Sequence, residues 1–293
     1  MIITFGSINV DFVYEVEEMP QAGQTLLAKR FRTESGGKGA NQALAAARDG
    51  AEVVMVGTVG DDSLAEIGLQ NLAAAMDISR VTRVKEPTGS ASIYIDDEGR
   101  NMIVVAAGAN LAASSDAVEE DLLQSANVVL MQMENDVAEV EKLIRRTLAV
   151  EATSILNLAP AFPLPQQILS LCDLIVVNED EAKALAGLLG CGASAEALSA
   201  HLDTGVLRTL GGDGAEACAF GEYIRISALP VNVKDTTAAG DCFVGVLASA
   251  LDRGLPLKGA MKRASVAAGL ACSRAGSQRS IPDGVATDSV ASR

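Results

Sequence analysis

Short apolar runs recur along this chain, and segments with a helical pattern separate most of them. The apolar runs lie at residues 2–8, 53–57, 128–132, 154–158, 174–178 and 206–211. Helices are predicted at residues 40–48, 63–76, 115–125, 136–149, 180–189, 194–202 and 256–273. Alternation of buried strands with helices predicts a mostly parallel central sheet covered by helices on both faces. We therefore expect an α/β fold of three layers.

Residues 11–33 and 88–106 have a different pattern, in which apolar and polar residues alternate loosely. The second stretch is interrupted by Asp97–Gly99, a turn sequence typical of β-hairpins. We expect about four strands here, separate from the main sheet, that form a small β-sheet lid on a single domain spanning residues 1–293. One lid face carries four alternating apolar residues, and pairing of two lids in a homodimer would cover that face. The four residues are Ile93, Ile95, Ile103 and Val105.

The stretch Asp235–Phe243 leads into a long apolar run that predicts a buried helix. Small residues at the helix N-terminus, Ala238, Ala239 and Gly240, leave backbone N–H groups pointing into open space, which favours an anion site. Asp241 adds a carboxylate beside these amides. Phosphoryl transfer to a hydroxyl needs both kinds of group. Backbone amides can donate hydrogen bonds to the charged phosphoryl group, and a carboxylate can accept the proton of the hydroxyl. The alternative is an Asp that only stabilises its own helix.

Polar residues follow several of the predicted strands directly. Asn9 and Asp11 come after the first run, Glu134 after the third, and Asn178 with Glu181 after the fifth. Because ligands bind at the carboxyl ends of parallel strands, these groups predict one crevice. Turn chemistry is the alternative explanation for the first two residues.

A glycine-rich turn, Gly36-Gly37-Lys38-Gly39, precedes the helix predicted at residues 40–48. Two glycines allow the backbone to approach a ligand closely. Lys38 and Asn41 then project from the first turn, where they could bind hydroxyl groups; an ordinary exposed lysine is the alternative for Lys38. The spacing does not match the Walker phosphate-binding motif.

The composition excludes several classes of function. The net charge of −15 argues against binding to nucleic acid or to an anionic membrane, and no run of 18 apolar residues predicts a membrane span. The five cysteines are scattered without a CxxC pair, which indicates buried thiols in a reducing cytoplasm. The single histidine, His201, lies in a polar segment, so a histidine-based mechanism is not expected.

Gly36–Gln42 and Asp235–Asp241 together resemble the two signatures of the ribokinase-like (PfkB) sugar kinase family. The resemblance covers about residues 2–282 and implies the family's three-layer fold with a small lid. Other stretches in the family's order are Gly6–Asp11, Leu130–Glu134, Asn178–Glu181 and Thr209–Gly214.

Within the family, Gly36–Gln42 and Met131–Glu134 are more similar to members that phosphorylate ribose than to kinases of fructose or adenosine. The resemblance therefore implies transfer of a phosphoryl group from ATP to the 5-hydroxyl of D-ribose. Kinases for fructose, a sugar acid or a nucleoside remain alternatives. From another class, a non-catalytic sugar or nucleotide sensor remains open, although a sensor would not need Asp241.

The resemblance also implies a role for each matching residue. Asp241 would be the catalytic base, with the amides of Ala238–Asp241 as the anion hole. The sugar hydroxyls would be bound by Asn9, Asp11, Gly36, Gly37, Lys38, Asn41 and Glu134. The nucleotide would be bound by Asn178, Thr209, Gly211, Gly214 and Ser265, the last at a position where relatives usually carry Asn or His. Mg²⁺ would be bound by Asn178 and Glu181. A K⁺ activator would be bound, largely through backbone oxygens, by Asp235, Thr237, Ala271, Arg274, Gly276 and Ser280.

Overall fold

The computed structural model describes residues 1–161 and 163–291. In this part of the chain nine strands form a main sheet and four form a second, smaller sheet. The order across the main sheet is β13 (Glu222–Ile226), β12 (Ala215–Ala219), β11 (Gly205–Thr209), β10 (Leu174–Val177), β9 (Thr153–Asn157), β8 (Val128–Gln132), β1 (Ile2–Phe5), β4 (Val53–Gly60) and β5 (Asp77–Val84). The order across the small sheet, called the lid below, is β3 (Arg30–Gly36), β2 (Asn9–Glu15), β6 (Gly89–Ile95) and β7 (Asn101–Ala106).

The strands from β11 to β5 are parallel, and the hairpin β12–β13 adds an antiparallel edge. Successive side chains of a strand point to opposite faces of the sheet. Accordingly, Ile2 belongs to one apolar core, whereas Ile3 and Phe5 belong to another on the opposite face. A strand between two cores must be apolar throughout, which explains the uninterrupted hydrophobic runs.

Helices cover both faces of the main sheet, as the sequence pattern predicts. They are α1 (Lys38–Arg48), α2 (Ser63–Ala73), α3 (Glu120–Gln124), α4 (Val137–Thr147), α5 (Gln166–Leu169), α6 (Glu179–Leu189), α7 (Ala195–Leu202), α8 (Ala239–Asp252), α9 (Leu257–Cys272) and α10 (Gly284–Ala291). Side chains of α1, α2, α8 and α9 share one core, and those of α3 to α7 share the other. The expectation of a three-layer α/β fold with a small second sheet is confirmed.

Two local predictions were wrong. The helix expected at 63–76 ends at Ala73, and the next residues form the edge strand β5. The alternation of charged and apolar residues in Asp77–Val84 suits an edge strand, because charges there discourage pairing with another chain. The helix expected at 115–125 is interrupted: a 3₁₀ turn at Ser115–Ala117 precedes the short helix α3.

The lid has two apolar faces. On the inner face Ile93 lies opposite Ile103, and both side chains line a cavity between the lid and the main sheet. On the outer face the ring of Tyr14 lies 5.0 Å from that of Phe31 and 5.3 Å from that of Tyr94. The four alternating residues predicted to pair with a second lid therefore face the cavity, and the aromatic side chains lie on the other side.

Close packing of α1 against α8 brings their N-terminal turns together at one edge of the sheet. A side chain at Gly245 of α8 would place its Cβ 2.2 Å from the carbonyl oxygen of Gln42 and 2.7 Å from the Cβ of Ala45. Only glycine permits this approach. No helix in the described chain is long and apolar enough to cross a membrane.

Candidate active site

Three adjoining cavities lie along the carboxyl ends of the parallel strands. The first, the lid cavity of about 460 Å³, contains Asp11 and lies under the lid. The second, the central cavity of about 140 Å³, contains Glu181 and shares Lys38 and Asp241 with the first. The third, the outer cleft of about 380 Å³, shares Gly240 with the central cavity. Each cavity shares lining residues with the next, so they lie side by side, as the prediction of a single crevice requires.

The carboxylate of Asp241 lies in the first turn of α8 and is fixed by two amides from α1. Its Oδ2 accepts a hydrogen bond from Asn41 Nδ2 at 2.9 Å, and its Oδ1 accepts one from Gln42 Nε2 at 3.0 Å. The Gln42 amide is held in turn, because its Nε2 donates to Asn157 Oδ1 at 2.8 Å and its Oε1 accepts from Gln132 Nε2 at 2.7 Å. This network orients the carboxylate before any ligand arrives.

The network includes residues that the sequence analysis did not assign. Asn41, expected on the sugar, donates to Asp241, and its Oδ1 is buried without a hydrogen-bond partner in the described residues. Gln132 and Asn157 are the last residues of the apolar strands β8 and β9. In the sequence, each of these two residues is a polar residue at the end of an apolar run, and this pattern could have marked both as candidate site residues.

The turn before α8 lines the central cavity with Ala238 and Gly240. Ala238 adopts the left-handed conformation, with φ of 58°, which is strained for a residue other than glycine. No atom lies within 4 Å of the position that a Cβ at Gly240 would take, so this side of the helix terminus faces open space. The Ala239 amide donates to the Thr236 carbonyl oxygen at 3.2 Å, so one of the four amides of the predicted anion hole is already bonded.

Asp11 contributes a buried carboxylate to the lid cavity. A Cβ at Gly36 would lie 2.2 Å from Asp11 Oδ2, so this glycine leaves room for the carboxylate. Burial, together with the negative charges of Glu134, Glu34 and Asp241, raises the pKa of Asp11 from 3.8 to about 7. Asp11 therefore changes charge near neutral pH.

Glu134 and Lys38 meet at the N-terminus of α1, which begins after Gly37. Oε2 of Glu134 accepts hydrogen bonds from Ser7 Oγ at 2.6 Å and from the backbone amide of Lys38 at 3.2 Å. The carboxylate of Asp241, followed by those of Glu134, Glu181 and Asp11, raises the pKa of the Lys38 ammonium, despite its burial. Lys38 is therefore a charged, half-buried group that lines both the lid cavity and the central cavity.

Asn9 also lines the lid cavity, and its side chain is oriented by a residue that the sequence analysis missed. Asn9 Oδ1 accepts a hydrogen bond from Asn110 Nδ2 at 2.7 Å, which leaves the Asn9 amide hydrogens for a ligand. Asn110 is fixed by the backbone amide of Ile8, which donates to its Oδ1 at 2.9 Å.

Asn178 and Glu181 form a capping box at the start of α6 beside the central cavity. Asn178 Oδ1 accepts from the Glu181 amide at 2.8 Å, and Glu181 Oε2 accepts from the Asn178 amide at 2.8 Å. Burial raises the pKa of Glu181. The predicted metal-binding pair therefore also has a structural role, and one carboxylate oxygen of Glu181 remains outside the capping box. No group of three or more His, Cys, Asp or Glu side chains that could bind a metal exists among the described residues.

The outer cleft is mostly apolar and includes four of the five residues expected to bind the nucleotide, whereas Asn178 lines the central cavity. Gly214 has a φ of 101°, and a Cβ there would lie 2.1 Å from the carbonyl oxygen of Ile226. Ser265 is 8% exposed. An apolar cleft with few polar groups suits a planar heterocycle. The predicted residues in its wall are Thr209, Gly211, Gly214 and Ser265, and the apolar ones include Leu229, Val231, Phe243 and Ala268.

Asp235 bridges the turn before α8 and the loop after α9. Its Oδ1 accepts from the Thr237 amide and its Oδ2 from the Gly276 amide, both at 2.9 Å. Burial alone would raise the pKa of Asp235, but these hydrogen bonds hold it below its usual value. Three of the six residues expected around a monovalent cation, Asp235, Thr237 and Gly276, are therefore joined by hydrogen bonds. Within this set, Ala271, Gly276 and Ser280 are buried, and Thr237 and Arg274 are exposed.

Comparison with known proteins identifies the class of protein to which this fold and site belong. The family described as pfkB family carbohydrate kinase matches residues 1–284. The chain therefore belongs to the pfkB family of carbohydrate kinases, as the sequence signatures predicted.

The curated relatives include ribokinases, a bifunctional ribokinase and a deoxyribokinase. The ribokinase of Staphylococcus aureus is 35% identical over 292 residues, which cover 96% of each chain. A bifunctional ribokinase/ribose-5-phosphate isomerase A of Fructilactobacillus sanfranciscensis is 37% identical over 96% of this chain, and the match spans only 54% of that protein. A deoxyribokinase of Salmonella typhi is 31% identical over 96% of this chain and 95% of its own length.

Solved structures agree with the family assignment. The ribokinase of Thermotoga maritima superposes with a TM-score of 0.92 and 28% identity, covering 100% of this chain and 99% of that one. The ribokinase of Arabidopsis thaliana, complexed with ribose and ATP, superposes with a TM-score of 0.90 and 28% identity. The superposition covers 100% of this chain and 98% of that one.

The raised pKa of Asp11 predicts how catalysis depends on pH. The ionised carboxylate accepts hydrogen bonds through both oxygens, whereas protonation converts one of them into a donor. If Asp11 binds the sugar hydroxyls, protonation below about pH 7 should weaken that binding. We expect kcat/KM for the sugar to rise by up to about tenfold per pH unit toward pH 7 and then to level off. Asp11→Asn should lower kcat/KM and remove this rise. A wild-type profile that is flat between pH 5.5 and 8 would contradict the prediction.

Proposed function

We propose that this chain transfers the γ-phosphoryl group of ATP to the 5-hydroxyl of D-ribose, giving ribose 5-phosphate. The observation that carries the proposal is the shared wall of the lid and central cavities, where Asp241 and Lys38 face both. A hydroxyl bound in the lid cavity can therefore meet a phosphate bound in the central cavity beside one carboxylate. The names of the curated relatives support ribose as the sugar.

The proposed mechanism depends mainly on orientation. Asp241, held by Asn41 and Gln42, would accept the hydrogen of the primary hydroxyl and aim its oxygen at the phosphorus atom. In a loose, metaphosphate-like transition state the hydroxyl loses its proton late, so orienting the hydroxyl suffices. The free amides before α8 and the ammonium of Lys38 would stabilise charge on the transferring group.

Recognition of the sugar follows from the polar groups around the lid cavity. Asp11 offers acceptors, Asn9 offers donors, and Glu134 and Lys38 lie close to both. Buried polar groups of this kind discriminate strongly against an analogue that lacks a hydroxyl, since they would remain unpaired. The kinship with a deoxyribokinase makes 2-deoxy-D-ribose the main competing substrate.

A panel of sugars with an ADP-release assay tests the proposed substrate. The panel would contain D-ribose, 2-deoxy-D-ribose, D-fructose, a sugar acid and adenosine, with MgATP saturating. We expect kcat/KM to be highest for D-ribose, and Asp241→Asn controls for contaminating kinases. Turnover of another compound with none for ribose would retain the kinase class and reject the substrate. Specific sugar binding without turnover of any compound would favour the sensor.

We further propose that the reaction uses Mg²⁺ bound with ATP. Mg²⁺ in kinases is held by one or two carboxylates together with substrate phosphates and water, and when bound it neutralises the phosphate oxygens. The free oxygen of Glu181, beside Asn178 in the central cavity, fits this arrangement. EDTA titration should abolish turnover and excess MgCl₂ should restore it; turnover that persists in EDTA would oppose the proposal.

We also propose activation by K⁺ at the loops that Asp235 joins. A monovalent cation needs several mostly neutral oxygens. Backbone carbonyls of Thr237 and of the 271–280 loop could supply them, because Asp235 accepts hydrogen bonds from the Thr237 and Gly276 amides and so joins the two segments. The cation would fix the turn before α8 without touching the substrate. KCl titrated against choline chloride at constant ionic strength should raise kcat severalfold, and Asp235→Ala should flatten the response. A flat wild-type curve would reject K⁺ activation.

A homodimer joined through the lid is proposed as the assembly. The lid's outer face is lined by rings that remain partly exposed, including Phe31, which is 55% exposed. Apolar lid surface of this kind favours pairing of two lids. Light scattering at micromolar concentration should give twice the monomer mass of 30.1 kDa. A monomer under these conditions would contradict the proposal.

We propose a cytoplasmic location for this enzyme. Its five cysteines are all unpaired thiols, as expected in a reducing compartment. Cell fractionation checks the proposal, and recovery of the protein in a membrane or secreted fraction would reject it.

A further inference from the structure

Glu34 connects the lid to the loop that follows α9. It lies on β3, directly opposite Asp11 on β2, and its side chain is 8% exposed. Oε2 of Glu34 accepts a hydrogen bond from the backbone amide of Ser277 at 3.1 Å, and Oε1 accepts from Arg32 and Arg279. The lid strand that flanks the sugar cavity is therefore bonded to a loop 243 residues away in sequence.

Two consecutive backbone amides of that loop donate hydrogen bonds to carboxylates from two different parts of the chain. Ser277 donates to Glu34 of the lid, and Gly276 donates to Asp235 before α8. Asp235 then accepts from Thr237, the residue before the strained Ala238. A continuous chain of hydrogen bonds thus runs from the lid to the turn that bears the anion-binding amides.

The ionisation of Glu34 favours this connection. Burial alone would raise the pKa of Glu34, but hydrogen bonds from Ser277, Arg32 and Arg279 hold it below its usual range. Arg279 is 70% exposed, and exposed ion pairs stabilise little. The bond to the Ser277 amide is therefore the part of the contact that can transmit a change in position.

We propose that Glu34 is a positioning residue that couples sugar binding under the lid to phosphate binding at the turn before α8. The proposal rests on the phosphoryl transfer proposed above. A sugar held by Asp11 fixes β2 and its partner β3, and Glu34 then fixes the 276–277 backbone and, through Asp235, the amides that receive the phosphate. Sugar and nucleotide therefore bind with positive cooperativity.

Calorimetry measures this coupling as the factor by which saturating D-ribose tightens binding of the non-hydrolysable MgAMP-PNP. We expect a factor of about five or more in the wild type, within the usual range of coupling energies. Glu34→Ala should bring it below about twofold, while each ligand alone binds within about threefold of wild type. Glu34→Gln, which keeps an acceptor for the Ser277 amide, should retain an intermediate factor.

Glu15→Ala is the matched control, because Glu15 is the other lid carboxylate bonded to Arg32 and contacts Arg30 and Arg32 rather than the 276–277 backbone. It should keep the wild-type factor. The proposal is overturned if both variants lose the coupling factor equally, or if Glu34→Ala keeps the wild-type factor.

Hydrogen exchange of the ligand-free protein tests the role of Glu34 independently of whether D-ribose is the substrate. Glu34→Ala should accelerate exchange in peptides covering 236–240 and 276–277, and Glu15→Ala should not. If the wild type does not bind ribose, the proposed substrate is wrong and the exchange comparison alone decides. Unchanged exchange at 236–240 then overturns the role of Glu34.

Discussion

The contact between α1 and α8 determines where the carboxylate of Asp241 points. Gly245 allows the two helices to approach so closely that Asn41 and Gln42 of α1 reach both carboxylate oxygens. Gln132 and Asn157, at the ends of β8 and β9, orient the Gln42 amide through hydrogen bonds. The sheet, the packing of the two helices and the orientation of the Asp241 carboxylate therefore depend on one another, and a shift of either helix would misdirect the carboxylate.

The same arrangement concentrates negative charge. The carboxylates of Asp11, Glu134, Glu181 and Asp241 all act on the ammonium of Lys38. Burial raises the pKa of Asp11, and repulsion from Glu134, Glu34 and Asp241 adds to the effect. Buried carboxylates without a full set of partners are unfavourable in the absence of ligand. In the proposed complex, sugar hydroxyls would supply hydrogen-bond donors for the carboxylates of the lid cavity, which would favour a polar, uncharged substrate.

Much of this was predictable from the sequence, for specific physical reasons. Strands buried on both faces must be apolar, so Ile2–Phe5 and its neighbours indicated a parallel sheet, and the signatures around Lys38 and Asp241 indicated the family. The strand β5 was missed because an edge strand carries charges. The bond from Asn41 to Asp241 was missed because nothing in the spacing of Asn41 shows that α8 packs beside it.

Long-range contacts account for the other gaps. Glu34 and Ser277 are 243 residues apart, and Asn9 and Asn110 are 101 apart, so no local pattern relates them. Gly36 could be recognised as a glycine that admits a ligand, but not as one that makes room for Asp11. The turn before α8 was predictable as small residues before an apolar helix, whereas the hydrogen bond that occupies the Ala239 amide could not be read from the sequence.

The central claim is that Asp241, oriented by α1, acts on the hydroxyl of a sugar bound under the lid. The most direct measurement is the kinetics of Asp241→Asn, with D-ribose affinity determined separately by calorimetry. The account predicts a fall in kcat of about 10²–10⁴, the usual range for a positioned base, with ribose affinity within about threefold of wild type. A kcat near the wild-type value in a correctly folded variant would contradict it.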